Sequence, residues 1–254
     1  MADTGKRQIF ITIFTGKWRE SKREKSGKNL ENKQKMKINK EQLQVYAVTD
    51  TKSIRKERYA TLCDAVEAAI KGGATIVQLR EKELSEDTFL AEATEIKKLT
   101  QRYGVPLIIN DNVKLAKEID ADGVHLGQDD LDIKAAREYL GADKIIGVSA
   151  HNVKEAMEAE NGGADYLGSG AAFVTSTKTD AGAIDHKVLS DVAHSVKIPV
   201  VAIGGINKDN ISQLEGLGLD GVAVVSAIFA ADDISSAVID LKAKAEKVAE
   251  SSVK

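Results

Sequence analysis

The amino-acid sequence predicts a closed (βα)8 TIM barrel, one α/β domain preceded by a disordered or weakly ordered N-terminal extension. Three observations predict it. From residue 43 onward, short apolar runs alternate with longer segments of helical spacing. The alternation makes eight units with no long interruption. Four of the apolar runs are introduced by the related triplets Gly73-Ala74-Thr75, Asp120-Ala121-Asp122, Gly163-Ala164-Asp165 and Gly218-Leu219-Asp220, as a two-fold βαβα unit used four times requires. A chain of 254 residues, 43% of them hydrophobic, suffices for one such barrel. An open doubly wound sheet is the alternative, because periodicity does not see closure.

The extension comes first in the chain. Residues 1–35 hold ten Lys/Arg and four Asp/Glu, a net of +6, so the remaining residues of this chain of net charge −3 carry −9. Its apolar run, Ile9–Phe14, is shorter than a signal-peptide core and is followed by no small-residue cleavage site. We expect an appended segment over 1–35, a barrel domain over 36–254 and a functional start at Met36; a basic nucleic-acid or lipid-binding arm is the competing interpretation. Apolar stretches of five to seven residues predict no membrane span, and a 4% aromatic content argues against a nucleic-acid stacking platform. The single cysteine, Cys63, excludes an intrachain disulfide framework and reads as structural on an amphipathic helix. A soluble, reducing, cytoplasmic setting is expected, with room for a homo-oligomer.

The strands are expected at Leu43–Thr49, Ala74–Leu79, Val105–Ile109, Gly123–Leu126, Lys144–Val148, Asp165–Gly168, Ile198–Ile203 and Gly221–Val225. They are rich in Val and Ile, as strands buried on both faces are. Both prolines, Pro106 and Pro199, fall at strand starts, where a missing N–H is harmless. Helices are expected at Thr61–Lys71, Ser85–Tyr103, Val113–Ile119, Leu131–Leu140, Val153–Glu160, Lys187–Val196, Lys208–Leu217 and Asp232–Val248. Ser85 and Asn207 are start signals, and Phe89, Ala93, Ile96 and Leu99/Thr100 mark one apolar face.

Polar residues follow the strands: Asp50; Gln78, Arg80 and Lys82; Asn110 and Asp111; Gln128 to Asp130; Ser149; a Gly/Thr/Lys loop; Gly204-Gly205; Ser226. In a barrel these positions share the active-site rim. Arg80 and Lys82, of equal parity, join Lys178 in a cationic set suited to a phosphate or diphosphate, the alternative being solvated surface charges. Asp111 and Asp130 end strands about 4.8 Å apart and would repel without a cation or proton between them, which favours a hard ion such as Mg²⁺; helix capping by Asp129 or Asp130 is the alternative. Gly204-Gly205 and Val225-Ser226 occupy the phosphate-monoester position of such barrels, or are simply turns. No Ser-His-Asp arrangement is evident. His186 and His194 read as helix-surface residues, His151 as a helix start, and His125 as a packed barrel residue rather than a ligand.

Six segments carry a resemblance: VQLREK (Val77–Lys82), the stretch Ile108–Leu131, GVSAH (Gly147–His151), FVTSTKTDA (Phe173–Ala181), VAIGGI (Val201–Ile206) and AVVSAI (Ala223–Ile228). Over about residues 40–245 the chain resembles the thiamine-phosphate synthase (thiamine-phosphate pyrophosphorylase) family. The resemblance implies a transferase that condenses hydroxymethylpyrimidine diphosphate with hydroxyethylthiazole phosphate to thiamine phosphate and pyrophosphate, by a dissociative, Mg²⁺-assisted substitution. It implies that Gln78, Arg80, Lys82 and Asn110 hold the pyrimidine diphosphate and that Asp111 and Asp130 bind Mg²⁺. It further implies that Ser149 and Lys178 contact the diphosphate, and that Thr175, Thr177, Gly205, Val225 and Ser226 hold the thiazole phosphate. The strand-six loop departs from the family, with Ala171 and Val174 where prolines are usual. A non-synthesising relative such as a thiazole tautomerase, or a generic phosphosugar barrel, would lack a use for the diphosphate half of the site.

Overall fold

The computed structural model describes residues 38–175 and 184–252. The expected extension over 1–35, the start at Met36, and the site residues Thr177 and Lys178 lie outside the described residues.

The barrel closes. Strands β1 (Val45–Val48), β2 (Ile76–Leu79), β3 (Leu107–Asn110), β4 (Gly123–Leu126), β5 (Ile145–Ala150), β6 (Tyr166–Gly170), β7 (Val200–Ile203) and β8 (Gly221–Val224) each pair with the next in parallel, and β8 pairs with β1. Helices α1 (Leu62–Gly72), α2 (Glu86–Tyr103), α3 (Val113–Glu118), α4 (Ile133–Leu140), α5 (Val153–Gly162) and α6 (His186–Ser195) follow the first six strands. After β8 come the short α7 (Ser226–Phe229) and the long α8 (Ile234–Glu250).

The helix ends obey local chemistry. Thr61 and Asp64 form a capping box on α1, and Ser85, Asn152, Asp185 and Asp233 cap α2, α5, α6 and α8 with side-chain oxygens. Ala93, Ile96, Leu99 and Thr100 of α2 are buried, the face the spacing predicts. Two expectations are corrected. The segment 208–217 is no α-helix but turns around a 3-10 stretch, Ile211–Leu214. Asn207 and Asn210 bond each other's neighbourhood in an Asn-turn, and Gly216 and Gly218 adopt positive φ, so the segment cannot build two helical turns. The start of α4 is capped by Asp132, which accepts from Lys134 and Ala135, and not by Asp129 or Asp130.

The repeated triplets have a structural cause. The third residue of each receives the N–H of the preceding strand's first residues: Thr75 Oγ1 from Val45 (2.9 Å), Asp122 from Leu107 (2.8 Å), Asp165 from Ile146 (2.8 Å) and Asp220 from Val200 (2.9 Å). The first residue of each takes a left-handed turn, Asp120 included at φ 53°. The triplets thus follow a helix in three cases and the 3-10 stretch in the fourth, and each fastens two strands at the bottom of the barrel. Ile38 and Leu43 close the same end against the interior residues Tyr46, Ile76, Ile108, Ile145 and Tyr166.

Candidate active site

The C-terminal ends of all eight strands open into one cavity of about 650 Å³. It is lined by Gln78, Arg80, Lys82, Asn110, Asp111, Asp130, Ser149, Thr175, Gly205, Val225 and Ser226, so every described residue to which the family resemblance gives a role faces it. Asp50 is not among the lining residues and instead accepts from Ser53 in the turn after β1.

Local structure aims the cations. Buried Thr49 accepts the Arg80 N–H (2.9 Å), fixing the backbone where β2 ends. The alternate acids turn the other way: Glu81 takes the Thr51 hydroxyl and Glu83 the Lys52 ammonium. Alternate residues therefore serve alternate sides, leaving Arg80 and Lys82 to the cavity.

Across from them stand the two aspartates. Asp111 occupies the left-handed region (φ 60°), a costly conformation for a residue with a Cβ, and its N–H is held by the His125 carbonyl at 2.8 Å. Asp130 folds back so that Oδ2 accepts the Gly127 N–H (2.6 Å). Burial and the adjoining Asp130 carboxylate push the Asp111 carboxyl up to about 6, against the opposing pull of Lys82 and Asn110. Two carboxylates this close, both hard oxygen donors, fit a divalent cation of the Mg²⁺ type. Among the described residues no group of three His, Cys, Asp or Glu side chains forms a cage. Mg²⁺ typically takes one or two carboxylates and completes its shell with water and phosphate oxygens.

The sequence reading missed a polar chain inside the barrel. Gln78 Nε2 donates to Tyr46 Oη (2.9 Å), Tyr46 and Tyr166 share a hydroxyl bond of 2.7 Å, and Tyr166 Oη lies 3.0 Å from His125 Nδ1. His125 Nε2 is 3.0 Å from Ser149 Oγ. Glycine makes the room: a Cβ at Gly147 would collide with the Tyr166 ring, and one at Gly168 would press on His125 Cε1 at 3.1 Å. His125 is packed, as expected, but it also lines the cavity. His186 is half-buried against the Phe173 ring and 3.2 Å from the Ala172 carbonyl, not a plain surface residue.

A parallel barrel with cations, paired carboxylates and glycine turns around one rim cavity is the architecture of an enzyme acting on small molecules. A profile of the thiamine monophosphate synthase family matches residues 45–228. The thiamine-phosphate synthase of Clostridium acetobutylicum is 53% identical over 190 residues, covering 75% of this chain and 89% of that one. That of Clostridium botulinum is 47% identical over 210 residues, covering 83% and 97%. The solved thiamine phosphate pyrophosphorylase of Pyrococcus furiosus superposes with a TM-score of 0.74 at 39% identity, covering 82% of this chain and 98% of that one. The chain belongs to the thiamine monophosphate synthase family and is a transferase of thiamine biosynthesis. No helix among the described residues is long and apolar enough to cross a membrane.

Proposed function

We propose that this enzyme joins hydroxymethylpyrimidine diphosphate to hydroxyethylthiazole phosphate, giving thiamine phosphate and pyrophosphate, in the cytoplasm. One observation carries the substrate assignment: a single cavity brings together Arg80, Lys82 and the Asp111–Asp130 pair, and also the strand-seven and strand-eight turns at Gly205, Val225 and Ser226. Two anions of different charge match those two halves.

The chain's own groups carry the steps. Gln78 and Asn110 orient the pyrimidine diphosphate, and Arg80, Lys82, Ser149 and Lys178 take up charge on its phosphates. The C–O bond to the diphosphate breaks with its electron pair leaving on pyrophosphate, and the electron-rich aminopyrimidine spreads the resulting positive charge. The thiazole nitrogen then donates its lone pair to that carbon. Backbone N–H groups around Gly205, Val225 and Ser226, with Thr175 and Thr177, fix the thiazole phosphate so that its nitrogen faces the reacting carbon. Asp111 and Asp130 would hold Mg²⁺, which when bound neutralises diphosphate charge. No strong general base is required, since the attacking nitrogen carries no proton.

The test mixes both substrates with the full chain and Mg²⁺ and measures pyrophosphate and thiamine phosphate together. Equal amounts of the two products, and neither from one substrate alone, are expected. Binding of the thiazole phosphate without any pyrophosphate release would point instead to a non-synthesising barrel.

A further inference from the structure

Five side chains in the barrel interior are joined by four hydrogen bonds into one line, Gln78–Tyr46–Tyr166–His125–Ser149, whose two ends both face the cavity. We infer that this line is a positioning device that sets, as one unit, which hydrogen-bonding face Gln78 and Ser149 present to the pyrimidine diphosphate, with Tyr46, Tyr166 and His125 as positioning residues. The inference rests on the substrate assignment above and concerns residues that do not touch the reacting atoms.

Protons on this line are few. Each tyrosine has one hydroxyl proton, and a neutral imidazole has one N–H. With His125 neutral, each interior member donates in one direction only, and the line has two self-consistent states. In the first, Gln78 Nε2 donates to Tyr46, Tyr46 to Tyr166, Tyr166 to His125 Nδ1, and His125 Nε2–H to Ser149 Oγ. Gln78 then shows its carbonyl oxygen to the cavity, and the Ser149 proton is free to point at a ligand. In the second, every bond is reversed: Ser149 spends its proton on His125, and Gln78 shows its amide N–H₂.

Ligand chemistry selects the first state. Diphosphate oxygens accept and do not donate, so Ser149 serves them only if it keeps its proton. The same state turns the Gln78 carbonyl toward the ring, where it accepts from an exocyclic amine. It is also the state in which Gln78 Nε2 is the donor to Tyr46. Complete burial pushes both phenols well above their ordinary range, so each keeps its single proton at neutral pH. Gly147 and Gly168 leave just the space that Tyr166 and His125 need, which keeps the links in register.

Two measurements test this on the full chain. The first is the tautomer of His125, read by ¹⁵N-detected NMR without substrate, with His125→Gln to assign the signal. A proton on Nε2 and none on Nδ1 is expected; a proton on Nδ1, or on both nitrogens, overturns the inference. The second is the ratio of dissociation constants for the aminopyrimidine diphosphate and the analogue bearing oxygen in place of the amine. The wild type should prefer the amine by about tenfold or more, since an unpaired acceptor faces the oxygen. In Tyr166→Phe the ring packing stays but the line is cut, so the Gln78 amide can turn over and the preference should fall to about twofold. Tyr46→Phe cuts the neighbouring link and should do the same should the first variant fail to fold. A merely structural role for the tyrosines would weaken both ligands alike and leave the ratio unchanged, and that result would overturn the inference. Absence of pyrophosphate release by the wild type would instead sink the substrate assignment, while the tautomer would still be read.

Discussion

The two rims of the barrel use the same residue type for opposite ends. At the bottom, Asp122, Asp165 and Asp220 each accept a strand N–H and each meets a cation: Lys97 at 2.8 Å, Arg137 at 2.6 Å and Lys40 at 2.5 Å. At the top, Asp111 and Asp130 face each other, and Asp111 sits in a left-handed conformation. Bottom aspartates are satisfied by the fold itself. The top pair repels, and Lys82 and Asn110 offset only part of that, so what stabilises one rim destabilises the other.

The sharpest way to break this contrast is Asp111→Asn. Turnover should fall by about 10²- to 10³-fold, the loss typical when a group stabilising transition-state charge is removed, measured as pyrophosphate release. Stability should move the other way in the absence of divalent ions. The folded-state carboxyl titrates near 6 and the ordinary value is 3.8, so ionised Asp111 costs stability. That cost is full above about pH 6 and gone below about pH 4. The variant should therefore be more stable than the parent by about 1 kcal/mol at pH 7.5, after discounting for the solvent that reaches the pair, with no gain at pH 3.5. Urea titrations at the two pH values read this directly. A variant that loses stability at pH 7.5 would mean that the pair is not repulsive.

Asp220→Ala applies the same operation to the bottom rim. The side chain is fully buried, accepts the Val200 N–H and pairs with Lys40. Its removal leaves a buried strand donor without that acceptor, and should cost about 3 kcal/mol and lower the melting temperature by roughly 10 °C. Activity per folded molecule should stay within about twofold of the parent, because the top rim is untouched. A large loss of turnover at constant folded fraction would show that the rims are not independent.

The legibility of the sequence follows the same division. The placing of strands and helices rests on patterns local in sequence, Val/Ile runs, capping residues such as Ser85 and the four triplets, whereas closure joins β1 to β8 and shows only in the pairing. The family motifs likewise place Arg80, Asp111, Asp130 and Ser149 at strand ends, where they face the cavity. Residues 208–217 misled because Ile211 and Leu214 are buried at helical spacing while the asparagines and glycines around them impose turns. The interior line from Gln78 to Ser149 was invisible for a different reason. Tyr46, His125 and Tyr166 lie on three strands, two of them 120 residues apart, and only the barrel's register sets their hydroxyls and ring nitrogens within bonding distance. The one available signal was glycine inside strands, at Gly147 and Gly168, which reserves volume for a large neighbour.

Between the rims, Gly147→Ala tests that reserved volume. The added methyl meets the Tyr166 ring, so the variant should lose about 1–3 kcal/mol by overpacking, seen as a lower denaturation midpoint. It should also weaken pyrimidine diphosphate binding more than thiazole phosphate binding, since it disturbs the half of the cavity that Gln78 and Ser149 serve. Equal weakening of both would argue that the effect is global.

The smallest effect separates strain that serves the site from strain that does not. Asp111 and Asp120 are the described non-glycine residues at positive φ, one at each rim. At the bottom, the equivalent triplet positions are Gly73, Gly163 and Gly218, so Asp120 is the member of the repeat that holds the turn with a side chain in the way. Its side chain is largely exposed and reaches Lys144, an ion pair worth little at a surface. Asp120→Gly should therefore raise stability slightly, by about 0.5 kcal/mol, the relief of left-handed strain outweighing the surface pair and the added freedom of the unfolded chain. Turnover should not change. Asp111→Gly, which relieves the same backbone strain at the top, should lower turnover as much as Asp111→Asn does, as expected when the proposed function needs the carboxylate and not the turn. Should Asp120→Gly instead lower turnover, the left-handed turn at the bottom would be setting the register of β4, and with it the placing of His125 and Asp130.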